Sequence, residues 1–209
     1  MLIKQCIIGL FLFFCSTSVL NAQIHGLSVS DTADPAGNGI MQIMGCTVQS
    51  ENSSMYGGRF AYGISDRFLL FTDIGSYDHE KASSTETIAQ AGMRYSLPVD
   101  LPVDLAVRAT IIPYIASYEH YIELTFGLLI SRYLDSGMNW AIYGSAGVDY
   151  QQWELELSLG QYTYIDKGDQ TDLSLSLGIT RRITGKTRLF LEVANVKDLF
   201  GCAGIRFDL

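Results

Sequence analysis

In Leu173-Ser174-Leu175-Ser176-Leu177-Gly178-Ile179-Thr180, leucine or isoleucine stands at every odd position and serine, glycine or threonine at every even one. That period of two puts all the apolar side chains on one face of a β-strand. A helix would scatter them around its circumference, so the stretch predicts a strand with one greasy face. The pattern recurs in both directions from there. Between Met55 and Ile64, one face carries Tyr56, Gly58, Phe60, Tyr62 and Ile64 and the other Met55, Gly57, Arg59, Ala61 and Gly63. Residues 103–113, 122–132 and 139–150 repeat the scheme, as do 188–195 and 201–209. With residues 38–48, 67–76 and 86–96 the series reaches ten strands.

The links between them alternate in length. Residues 49–54, 77–85, 114–121, 151–171 and 196–199 form one set. Residues 65–66, 97–102, 134–138 and 184–186 form the other, shorter and rich in turn residues. Long links on one side and tight turns on the other are the arrangement of a closed up-and-down barrel that crosses a membrane. The expected fold is therefore all-β, a closed antiparallel transmembrane barrel over residues 38–209, with ten strands preferred and eight as the alternative.

What fills the two faces separates a membrane barrel from a soluble sandwich, because both alternate. The polar face here holds small residues and charges of both signs: Arg59, Asp73, Arg94, Arg108, Glu123, Asp149, Glu192 and Arg206. In lipid the apolar face points outward and the charged face lines the lumen, where opposite charges form a network and leave little continuous water. The four lysines that follow residue 22, Lys81, Lys167, Lys186 and Lys197, all fall in proposed links. Tyr56, Tyr95, Tyr133, Trp140, Tyr150 and Phe207 at strand ends fit interfacial girdles, or equally the packing of a soluble sheet.

Residues 1–22 read as a signal peptide, with Lys4, an apolar run from Cys6 to Val19 and Ala22 at the cleavage position. The run is too short to span a bilayer, which takes about 20 apolar residues. Residues 23–37, polar and punctuated by Gly and Pro, predict a flexible leader. The full chain has a net charge of −8. Losing the signal peptide removes one lysine and no acid, so the mature chain is still more acidic. Without a basic stripe, nucleic acid is set aside as a partner.

The final Ala203-Gly204-Ile205-Arg206-Phe207-Asp208-Leu209 resembles the C-terminal strand of bacterial outer-membrane proteins, with Leu209 where an aromatic residue is usual. With the strand series and signal peptide, the mature chain resembles the small outer-membrane β-barrel superfamily that includes OmpA-like, OmpW-like and opacity-type proteins. The resemblance implies a porin-like barrel in the outer membrane of a Gram-negative cell envelope. It also implies membrane lipid as surroundings and recognition of the last strand by the barrel-insertion machinery. The oligomeric state is left open. A structural or surface-interaction role is the first expectation, a small channel for ions or hydrophobic solutes the second, and a soluble lipocalin-like binding barrel the third.

No enzyme, cofactor or metal site is expected. His25, His79 and His120 lie far apart without spaced Cys or His partners. His120, between Glu119 and Glu123, is the one candidate for catalysis, but the His-x-Ser pattern of outer-membrane deacylases would need serine where Ile122 stands. Cys46 and Cys202 lie near the far ends of the first and last strands, which closure makes neighbours. A disulfide and a pair of buried free thiols are both consistent with that placement.

Overall fold

The computed structural model describes residues 32–50, 53–79, 86–115, 119–159, 162–196 and 198–209. Its strands are β1 (Met41–Gln49), β2 (Ser53–Gly63), β3 (Phe68–His79), β4 (Glu86–Ser96), β5 (Asp104–Ile115), β6 (Glu119–Tyr133), β7 (Trp140–Leu159), β8 (Tyr162–Arg182), β9 (Thr187–Val196) and β10 (Asp198–Asp208). Each pairs antiparallel with the next, and β1 pairs with β10, so the sheet closes. The expected ten-strand barrel is the one observed. Closure runs from Gln42↔Asp208 to Gln49↔Gly201, and the Leu209 amide donates to the Met41 carbonyl at 2.8 Å. Closing the sheet leaves no edge along the barrel wall, which is what lets a sheet stand in an apolar medium.

The rim where β1 starts and β10 ends is the proximal rim, and the opposite one the distal rim. Proximal turns are tight: Ile64 N donates to Phe68 O at 2.9 Å, Leu134 N to Trp140 O at 2.9 Å, and Ile183 N to Thr187 O at 2.8 Å. The turn after β6 places Met138 in the left-handed region at φ 52°. Asp135 holds it in shape, its Oδ1 accepting from the amides of Asn139 (2.9 Å) and Trp140 (2.8 Å). The Trp140 amide first, and then the amide groups of Asn139, keep this carboxyl below the ordinary aspartate range by stabilising its charged form.

On the distal side β7 and β8 run on for 20 and 21 residues, about twice the 9–11 that a membrane-spanning strand needs. The predicted link 151–171 is thus corrected to a hairpin that stays paired from Trp140↔Arg181 to Leu159↔Tyr162. Its period of two, Trp153, Leu155, Leu157 and Leu159 against Glu154, Glu156 and Ser158, is that of a strand, but with the apolar residues at odd positions instead of the even ones of the barrel part, Trp140, Ile142, Val148 and Tyr150. The acidic residues do not break the strand. Lys167, expected in a link, lies in β8 and meets Glu154 at 2.8 Å across the ladder. The ladder between β8 and β9 ends at Ser174↔Val196, so β8 continues outward beyond its neighbour.

Burial is inverted relative to a water-soluble protein. Leu173 is 75% exposed and Phe126 63%, whereas Glu123 and Asp73 are each 1% exposed. Residues 1–31, which include the predicted signal peptide, His25 and part of the predicted leader, lie outside the described residues, as do Lys81 and Lys197.

Candidate functional site in the barrel interior

Alternation sends one side chain in two inward, so the site is whatever the strands bring together there. Of the eight charged residues of the polar face, Arg59, Asp73, Arg94, Glu123, Asp149, Glu192 and Arg206 are buried and Arg108 is half-buried. Arg59 on β2 and Asp73 on β3 are cross-strand partners. Their pair is bidentate, Nε to Oδ1 at 2.7 Å and Nη2 to Oδ2 at 2.8 Å. Gln90 on β4 donates to the same carboxylate. The Phe71 ring lies between two cations, 4.3 Å from the Arg59 guanidinium and 5.0 Å from that of Arg108. Glu123 accepts from Gln151 Nε2 at 2.8 Å, and Glu192 from the Tyr143 hydroxyl at 3.1 Å. Arg108, Glu123, Asp149 and Glu192 border a cavity of about 70 Å³, room for a few water molecules.

Arg94 reaches something else. Its guanidinium donates to the main-chain carbonyls of Thr32 and, at 3.0 Å, Asp34. Residues 32–37 enter the lumen through the proximal mouth and form a strap across it, with Thr32, Ala33 and Ala36 buried. These six residues belong to the segment predicted to be a flexible leader, the rest of which lies outside the described residues. Ala33 packs with Ala106 and Leu129, and its amide donates to Ser131 Oγ at 2.9 Å. Ala36 packs with Ala61, Leu69 and Phe71. The Ser96 hydroxyl donates to Asp34 O at 3.2 Å. At the carboxylate of Asp34 a relay ends: Arg188 Nη1 donates to the Tyr133 hydroxyl (2.9 Å), which donates to Asp34 Oδ2 (2.9 Å). Arg188 itself stands 3.9 Å from both Asp34 and Asp208, and Asp208 is 3.2 Å from Arg206 Nε.

The strap leaves the lumen where the wall gives it room. Gly37 and Gly39 adopt left-handed φ of 78° and 74°. A Cβ on Gly63 would stand 2.0 Å from the Gly37 carbonyl oxygen, so glycine at the end of β2 is what the strap passes over. The lumen is also not uniformly polar. Met44, Val48, Met55, Ile88, Ile112, Phe190 and Phe200 form one inward apolar cluster with Cys46 and Cys202. These apolar side chains share the interior with the expected small residues and charges. Cys46 and Cys202 are free thiols in this structure, both buried.

One further placement differs from expectation. Tyr133 faces the lumen instead of an outer girdle, which its shared parity with Glu123 and Ser131 already implied. Tyr56, Tyr95, Trp140, Tyr150 and Phe207 are exposed on the outside. Arg188, not singled out in the sequence, shares the parity of Glu192 and could have been found by it. Asp34 could not, since no spacing rule ties an irregular segment to a lumen.

No protein-family model and no curated protein matches this sequence. Among solved structures it is similar to the N-terminal β-barrel domain of Pseudomonas aeruginosa OprF at 12% identity, covering 83% of this chain and 99% of that one, with a TM-score of 0.42. It is similar to the KdgM porin at 8% identity over 80% and 99% of the two chains, TM-score 0.47. The Escherichia coli outer-membrane protease OmpT matches at 8% identity over 82% and 94%, TM-score 0.47. At such identities the likeness is one of fold alone.

Proposed function

We propose that this chain is an integral outer-membrane barrel that does not conduct, closed at its proximal mouth by its own N-terminal strap, and that its working surface is the long β7–β8 hairpin on the distal side. The observation that carries the closed state is the strap: residues 32–37 sit inside the wall, held by Arg94, Ser96, Ser131 and Tyr133. Beyond it the Arg59–Asp73 pair and the apolar cluster around Met55 and Phe200 take up the remaining width. Lipid as surroundings follows from the inverted burial, since each large apolar side chain gains about 1.5–3 kcal/mol on leaving water. A lipocalin-like soluble barrel would hold those side chains inside. The exposed Phe207 and Leu209 at the end of β10 fit recognition by the insertion machinery.

A role on the cell surface, structural or in contact with a partner, accords with a hairpin that outruns the membrane by about ten residues per strand. One observation favours the small channel as a second reading: the strap is held by side chains and packing, not by a β-ladder, so it can leave the lumen without breaking the sheet. Planar-bilayer recording decides between them. The full chain is expected to give no ion conductance, and Asp34→Ala combined with Gly63→Ala to give openings. Steady conductance by the unaltered protein would remove the closed reading.

A further inference from the structure

We propose that Cys46 and Cys202 are joined by a disulfide across the seam that closes the barrel, made on export by a disulfide-bearing oxidant. The inference rests on the envelope location proposed above, because such bonds persist in oxidising compartments. β1 and β10 meet along this seam with Cys46 opposite Gly204 and Cys202 opposite Val48, so the two cysteines stand on a diagonal of the ladder. Both are buried in the same apolar cluster on the inner face of the seam.

A diagonal is wider than the directly opposed relation, and the bond needs the sulfurs to approach to about 2.05 Å. Glycines supply the freedom. Cys46 faces Gly204 on β10 and Gly57 on β2, so no side chain on either flank holds it upright and it can lean toward Cys202. The seam is also where a covalent bond constrains most, because it joins the first strand to the last and encloses nearly the whole barrel in one loop.

The chemistry balances through thiol–disulfide exchange. The thiolate of one cysteine attacks the oxidant's disulfide, forming a mixed disulfide and releasing one oxidant thiol. The thiolate of the other attacks the cysteine sulfur of that mixed disulfide and releases the second. Two electrons pass from the cysteine sulfurs to the oxidant, and the two thiol protons end on its dithiol. Since Met55, Val48 and Phe200 shut water out of the folded site, the exchange belongs to the interval before β10 zips onto β1.

The test uses the full chain expressed with export in a Gram-negative host. Envelope and cytoplasmic fractions are denatured in an alkylating reagent without reductant and mapped by peptide mass. The expected result is a cross-linked pair of peptides carrying Cys46 and Cys202, lighter by two hydrogens than its free components and alkylated only after reduction. Reductant should also lower the unfolding temperature of the folded barrel by roughly 10 °C and leave a Cys46→Ser/Cys202→Ser variant unmoved. In Cys202→Ser, Cys46 should accept the label without reductant. Outer-membrane protein with both cysteines alkylated would overturn the bridge and leave the location standing. Recovery of the chain only from the cytoplasm would overturn both.

Discussion

Arg59 and Asp73 show what a charge costs inside this barrel and how the sequence meets that cost. Each is at least 95% buried, and each has the other as a bidentate partner. Removing one side leaves an uncompensated buried charge, which destabilises by about 3–5 kcal/mol. Arg59→Met is therefore expected to lower barrel stability by about that amount in urea unfolding from detergent micelles. Arg59→Met with Asp73→Leu should recover most of it, and equal losses in the single and double variants would refute the pairing. At Gly63 the limit is steric. An added methyl meets a main-chain oxygen and no flexible side chain, so Gly63→Ala should displace the strap while the wall stays intact. Protease cutting near residues 32–37 under native conditions, absent in the parent protein, is the readout.

Among the elements, the turn after β6 depends on one carboxylate. Asp135 is solvent-exposed, and its affinity for protons is lowered by the Trp140 amide first and then by Asn139. The sign follows from linkage: the folded turn prefers the ionised form, so its support is present above the ordinary aspartate value of 3.8 and lost as pH falls through the lower folded value. Amide exchange at Asn139 and Trp140 is expected to be slow at pH 5 and to lose protection below about pH 3.8. Asp135→Ala should remove that protection at both pH values. The β7–β8 hairpin is the other self-standing element. A Cβ on Gly168 would stand 2.2 Å from the Trp153 ring, so the indole covers the glycine opposite it and pins the register above the barrel. Gly168→Val should disturb the hairpin alone, visible as a change in Trp153 fluorescence without loss of the barrel's heat-modifiable mobility on a detergent gel.

For the barrel in its entirety, the decisive asymmetry is between its two faces. Leu128 is exposed near the middle of β6, so Leu128→Arg places a charge where the proposed lipid lies and should cost about 2–4 kcal/mol in folding from urea into bilayers. Thr110→Ser, on the inner face of neighbouring β5, should leave that folding energy within about 0.5 kcal/mol. A leucine substitution as harmless as the threonine one would contradict a lipid-facing exterior.

Closure, the preferred count of ten strands and the outward face of the clearly alternating strands were legible in the order of the residues, because a period of two is a local property written residue by residue from Tyr56 to Phe207. So was the placing of Cys46 and Cys202 on neighbouring strands, since closure of an up-and-down sheet leaves the first and last strands no other partner. The strap inside the lumen, and the partners that hold it, came only with the fold in three dimensions. Arg94, expected in a network of charges, donates to the carbonyls of Thr32 and Asp34. Residues 32–37 carry no periodicity, and an irregular segment is positioned by distant side chains such as Arg188, Tyr133 and Ser131. Contacts of that kind span nearly a hundred residues of chain or more, and no local spacing encodes them.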